Sequence, residues 1–338
     1  MKYLWLFGVL VLAACTPQLR VAGPDGVAPV RLDFPAMRSF AAASPGPARS
    51  PNAQIARDFS DLIFQLESGR PIPVFTRFEG PVTVAFNGPV PAHLAADLDG
   101  LLARLRAEAG IDIRQIAGGD AAIRIELVPP RQLQRAAPGA ACFVVPRVRD
   151  WAALRRNRQS PLIDWTTLQV RDRAAVFIPD DATPQEMRDC LHEELAQALG
   201  PLNDLYHLPV SVFNDDNMHA VLTGFDMLIL RVTYAPALRS GMTQAEVMAQ
   251  VPDILARINP AGAGGAAPIA APTTRDWTQA IITALGGTAS RGVRQQAAAQ
   301  AVAIGQARGW TGARAGFAQY VFGRLQIGTD PSLALGAF

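Results

Sequence analysis

The sequence predicts an α+β protein: one domain with a mixed sheet and a well-capped helix, followed by a helical C-terminal extension. Three observations carry this. Short segments with apolar residues in alternation recur between residues 82 and 178, amphipathic helical stripes lie among and after them, and beyond an Ala/Gly/Pro stretch only helical spacing returns. The domain is assigned to residues 51–258, the linker to 259–274 and the helical region to 275–338.

Taken in order, Ile55, Phe59, Leu62, Ile63 and Leu66 recur at helical spacing, and Gly69 is placed to stop that helix. Val82, Val84 and Phe86 alternate with Thr83, Ala85 and Asn87 before Gly88, which is a strand pattern. Leu94, Leu98, Leu101, Leu105 and Ala109 then form a helical stripe closed by Gly110. Ile111 and Ile113, then Ile123, Ile125 and Leu127 with Arg124 and Glu126 facing away, supply two more strands. Ala175 to Ile178 is a short apolar strand, and Cys142 to Val148 reads as another. The Arg-rich stretch 149–169 reads as loop with local turns. After the linker, Trp277, Ile281, Ile282 and Leu285, then Val293, Ala297, Ala301 and Ile304, then Phe317, Tyr320, Val321 and Leu325 suggest three helices. The tail from Ser332 to Phe338 is apolar, fit to dock on this chain or on a partner.

The helix around residue 190 is the best defined. Thr183 can cap it, Pro184 suits its first position, Glu186 completes a capping box and Gly200 ends it. At about 100° per residue, Met187, Leu191, Leu195 and Ala198 share a face that must be buried. His192 points away from Glu193 and Gln197, which lie nearly in line one turn apart. The tempting His192-Glu193 pair is therefore off the face that matters.

The N-terminus sets the compartment. Residues 1–14 hold one lysine and then an apolar run, too short to span a bilayer and laid out as a secretory signal. The ending Leu12-Ala13-Ala14-Cys15 resembles the bacterial lipoprotein pattern, which implies lipidation of Cys15, a flexible tether over 15–50 and anchoring on the periplasmic side of the envelope. Thr16 rather than Asp after the cysteine favours the outer membrane over the inner in lipoproteins of this kind. In an oxidising periplasm the remaining cysteines, Cys142 and Cys190, default to a disulfide, with two buried free thiols as the alternative.

Composition excludes several classes. With 49% hydrophobic residues and a formal charge of +2, the chain is globular and nucleic acid is not an expected partner. Lys2 is the only lysine and leaves with the signal, which removes Schiff-base and Ser-Lys chemistry. No G-x-S-x-G elbow occurs.

Read from Glu193, the helix continues Glu193-Glu194-x-x-Gln197-x-x-Gly200-x-x-Asn203-Asp204, which resembles the metzincin signature H-E-x-x-H-x-x-G-x-x-H-[DS] with each zinc-binding histidine replaced. Ser211-Val212-Phe213-Asn214-Asp215 looks like the metzincin Met-turn with Phe213 in the methionine position. Leu222 to Arg231 and Tyr234 resemble the helix that closes such domains. The chain is also similar to a bacterial family of envelope proteins of unknown function, marked by an E-E-L-x-Q-x-L-G-x-x-N-D box and an S-[IV]-F-N-D turn.

The resemblance implies a zincin-like, metzincin-type domain. In it Glu193, Gln197 and Asn203 take the degenerate ligand positions and Glu194 the position of the general base. Asp204, Ser211, Phe213, Asn214 and Asp215 then lie in the cleft or its turn. One carboxylate and two amide oxygens suit Ca²⁺ or Mg²⁺ better than Zn²⁺, so zinc is not expected and no cofactor is assigned. Two readings stay open: a non-catalytic lipoprotein that binds an envelope protein or peptide, and a metal-dependent hydrolase or peptidase with atypical ligands centred on Glu194.

Overall fold

Alternation along the chain resolves into five strands, β1 (Val82–Phe86), β2 (Ile113–Gln115), β3 (Ile123–Val128), β4 (Phe143–Pro146) and β5 (Ala174–Pro179), in one sheet of order β2-β1-β3-β5-β4. All neighbours are parallel except β4, which runs antiparallel to β5 at the edge, with Val144 opposite Val176. The structure is a computed structural model that describes residues 50–214, 219–264, 271–287 and 289–338. The signal at 1–14, Cys15, the tether up to residue 49 and Asp215 lie outside the described residues.

The sheet is covered on both faces. Helices α1 (Asn52–Phe64), α2 (Ala92–Ala109), α5 (Pro184–Leu199), α6 (Gly224–Thr233) and α7 (Gln244–Ile258) contribute to the main core together with Val84, Ile123, Ile125, Val176 and Ile178. Two short helices, α3 (Pro130–Ala136) and α4 (Trp151–Asn157), close a smaller core on Val145, Ala175 and Phe177. Thus β5 reads as an unbroken apolar run because successive residues feed different cores, whereas Arg124 and Glu126 of β3 make no part of either.

The stretch expected as loop over 149–169 holds α4 and two single 3₁₀ turns. The cause is local: the Asp150 side chain accepts a hydrogen bond from the Ala153 N–H at 2.6 Å, Trp151 and Leu154 are buried, and Glu126 accepts from the Trp151 N–H. Helices α3 and α7 also arise where no helix is expected from the sequence.

The C-terminal residues form α8 (Arg275–Leu285), α9 (Arg291–Ala307), α10 (Ala313–Gln326) and α11 (Pro331–Ala337). Their core is built of Trp277, Ile281, several alanines and Val321, and it takes in Tyr206 from the segment after α5. The Tyr206 ring meets Trp277 edge-on at 5.0 Å and stacks on Phe317 at 6.0 Å. No helix among the described residues is long and apolar enough to cross a membrane.

Candidate functional site

The chemistry-bearing helix α5 is fixed at both ends. Thr183 accepts from the Glu186 N–H and Glu186 accepts from the Thr183 N–H at 2.7 Å, the reciprocal capping box its sequence spells. At the other end the guanidinium of Arg171, wholly buried, donates to the carbonyls of Gln197, Ala198 and Gly200 and lies 4.8 Å from the Trp165 ring centroid. A cation on the last carbonyls of a helix answers both its orphan acceptors and its dipole. Burial lowers the Arg171 pKa to about 10, which leaves it charged near neutrality.

Midway, Cys190 is joined to Cys142 in the disulfide that the sequence favours over free thiols, with the Cα atoms 5.9 Å apart. This ties α5 to the residue preceding β4. Between the two runs a cleft of about 850 Å³. Cys142, Phe143 and Val144 line one side, Glu193, Glu194, Gln197 and Asp204 the other, with Leu66 and Glu67 beyond α1. Ile281, Ile282 and Leu285 of α8 close it with an apolar wall.

Glu194 is the most perturbed group there. It is only 4% exposed, the Val144 backbone N–H donates to its carboxyl, and its Oε2 has no hydrogen-bond partner among the described residues. Burial above all, then the negative charges of Glu67, Asp204 and Asp189, pushes its pKa well above 4.5 and favours the neutral acid.

His192, buried on the far side of α5, accepts a hydrogen bond at Nδ1 from the Leu222 N–H at 3.1 Å. Burial, then Arg104 and Arg188, lowers its pKa to about 3. It is a neutral strut between α5 and the start of α6.

Of the positions singled out in the sequence, Glu193, Glu194, Gln197 and Asp204 meet in the cleft. Asn203 does not: its Nδ2 donates to the Asp61 carbonyl at 2.9 Å and its Oδ1 accepts from the Asp204 N–H. The reason is that the chain after Gly200 is sewn to α1, through Leu202 N–H to Leu62 and through His207 against Asp58 at 3.1 Å. Ser211, Phe213 and Asn214 form a buried turn outside the cleft lining. Asp226 of α6 holds it, accepting from the Ser211 hydroxyl at 2.5 Å and from the Val212 N–H, while Asn214 donates to the Leu208 carbonyl. Burial raises the Asp226 pKa against these bonds.

Sequence reasoning misses Glu67, Val144, Arg171 and the α8 wall as parts of the site. Only the last has a signal: Ile282 sits about 100° from Ile281, one apolar residue too many for a single buried face, and it is 52% exposed. Among the described residues no group of three or more His, Cys, Asp or Glu side chains is arranged to hold a metal ion.

The architecture is thus a mixed α+β domain whose edge strand and disulfide-tethered helix wall a carboxyl-bearing cleft. The chain belongs to the family described as proteins of unknown function, DUF2927, whose model matches residues 52–253, spanning α1 to most of α7. No curated protein and no solved structure matches it.

Proposed function

We propose that the protein is a lipid-anchored envelope protein whose degenerate, metzincin-like cleft binds an extended segment of a protein or peptide partner without hydrolysing it. The cleft carries this reading. It is edged by β4, which among the described residues pairs with β5 alone, and an edge strand is a template for an added extended chain. The α8 wall offers Ile281, Ile282 and Leu285 to the apolar side chains of such a segment.

Support for the zincin-like part of the reading is the order strand, helix, strands and capped α5, followed by α6 at Gly224–Thr233. Support for the envelope part is the Leu12-Ala13-Ala14-Cys15 pattern, with a disulfide suited to an oxidising compartment.

Hydrolysis is disfavoured by chemistry. A hydrolytic metal needs converging ligands and one open position, and Asn203 is committed to Asp61 rather than joined to Glu193 and Gln197. A neutral Glu194 carboxyl is a hydrogen-bond donor in the cleft instead of a base. The second reading, a hydrolase centred on Glu194, is favoured by one observation, the unpartnered Oε2.

Two assays on the purified full chain separate them: metal content by elemental analysis, and turnover and binding of a fluorescent peptide library after addition of Zn²⁺, Ca²⁺ or Mn²⁺. Binding without cleavage and without stoichiometric metal is expected. Metal-dependent cleavage that disappears in Glu194→Gln establishes the hydrolase and removes the binding-only reading.

A further inference from the structure

Between residues 131 and 158 the chain carries seven arginines, at 131, 135, 147, 149, 155, 156 and 158, against one acid, Asp150. That is +6 in a chain whose total is +2, so the remaining residues sum to −4. The fold concentrates this charge on the face of the sheet opposite α5, where Arg135 of α3 shares a cavity lining with Arg155 and Arg158 of α4 and its C-terminal turn, Arg156 lies beside them and Arg131 sits one helical turn before Arg135. All five are exposed.

Six arginines elsewhere pair with acids: Arg70 with Asp164, Arg77 with Glu79, Arg104 with Glu108, Arg149 and Arg173 with Asp120, and Arg188 with Asp97. Among the described residues none of the five does. Instead four of them line two adjoining cavities. One, of about 390 Å³, is lined by Gln132, Arg135, Trp151, Arg155 and Arg158 among others, and one of about 490 Å³ by Arg155, Arg156, Arg158 and Gln159. They share Arg155 and Arg158, and neither lining contains an acid.

Basic residues in the last turn of α3 and α4 favour the helix dipoles, and Arg158 donates to the Arg135 carbonyl at 2.8 Å. Those effects account for single arginines at helix ends. They do not account for four guanidiniums gathered without a carboxylate around concave surface, an arrangement that costs repulsion until an anion fills it. The cavities also have structured walls. The Trp151 indole N–H donates to Gln132 Oε1 at 2.9 Å, which turns the Gln132 amide so that its NH₂ remains a donor.

We infer that this α3–α4 pocket is an oxyanion site for a ligand that carries two or more phosphate groups, separate from the carboxyl-bearing cleft. Guanidinium forks match phosphate oxygens two at a time, and the pair of cavities seats more than one group. The volumes lie in the range of small-ligand pockets. A soluble phosphorylated molecule and the phosphates of an anionic lipid surface share this chemistry.

The test is calorimetric titration of the full chain with inorganic pyrophosphate at low and moderate salt. A second arm measures co-sedimentation with vesicles of phosphatidylglycerol and phosphatidylcholine mixed one to one, against phosphatidylcholine alone. Two variants, R155S/R158S and R131S/R135S, guard against loss of fold in either one, and thermal melts check each. Pyrophosphate binding that weakens with salt and falls at least tenfold in the variants supports the site with a soluble ligand. Variant-sensitive binding to the anionic vesicles alone supports it with a lipid headgroup. Binding of neither probe, binding insensitive to both variants, or binding of polyglutamate in place of phosphate overturns it.

Discussion

Glu194 and His192 sit two residues apart on α5, both buried, and titrate in opposite senses. In the unfolded chain Glu194 loses its proton near 4.5, but in the fold it holds the proton to a higher pH. Stability is therefore complete below 4.5 and declines as pH rises toward the folded value, by about 1.4 kcal/mol per pH unit for one proton. His192 works the other way: unfolded it gains a proton below 6.5, folded only near 3, so stability declines as pH falls through that window. Between 4.5 and 6.5 the two slopes oppose each other. Glu194→Gln keeps an acceptor for the Val144 N–H and removes only the first slope. Denaturant midpoints measured in pH steps should then show the variant losing stability more steeply than the unaltered protein as pH falls from 6.5 to 4.5, and spared the decline with rising pH that Glu194 imposes above 4.5. Identical profiles would mean that Glu194 is not held neutral. His192→Phe leaves the Leu222 N–H without its acceptor and should cost about 1–3 kcal/mol at neutral pH.

At the scale of elements, α5 is held at its cap, at the Cys142–Cys190 bridge and at Arg171, and these differ in how far the sequence announces them. The cap is legible because Thr183, Pro184 and Glu186 are local. The strands are legible because alternation is local, and the disulfide because only two cysteines come after the proposed lipidation site. Arg171 is not, since its partners lie 26 to 29 residues away and its flanking sequence carries no mark of them. The same limit hides Asn203, whose commitment to Asp61 spans 142 residues. Gly200 is a further case. It reads as a helix stop, yet its φ of −172° is not left-handed, and the tight approach at this position is the Thr233 side chain, whose Cγ2 would lie 3.0 Å from an added Cβ. Gly200→Ala is expected to cost about 1–3 kcal/mol through overpacking, relieved by Thr233→Ser, as a double-mutant cycle would measure. The bridge closes a loop with a sequence separation of 48, worth about 4 kcal/mol in the chain-entropy account. Cys142→Ser/Cys190→Ser should lower the denaturant midpoint accordingly and weaken peptide binding beyond that, because it frees one cleft wall from the other. Binding that tracks the fraction folded and nothing more would deny the bridge a part in shaping the cleft.

At the scale of the whole molecule, the family match ends at residue 253, yet the cleft it contains is completed by α8, outside that span. Trp277 joins the two parts: it is fully buried at the centre of the C-terminal core and touches Tyr206, which lies within the matched segment shortly after α5. The Tyr206 side chain explains why a tyrosine comes after the Asn203-Asp204 pair, a feature that no pattern within the helix predicts. Removing a buried indole costs about 3–5 kcal/mol where it packs. If the C-terminal helices owe their position to this contact, Trp277→Ala will unfold or release them while the sheet and α5 persist. Hydrogen exchange should then show lost protection in α8 to α10 with protection kept in β5 and α5. Peptide binding should fall because the Ile281–Leu285 wall is gone, and pyrophosphate binding at α3 and α4 should survive, since no residue of α8 to α10 lines those cavities. Uniform loss of protection throughout would show instead that the sheet depends on α8 to α10 for its own stability, and that the family's shared segment does not fold without those helices.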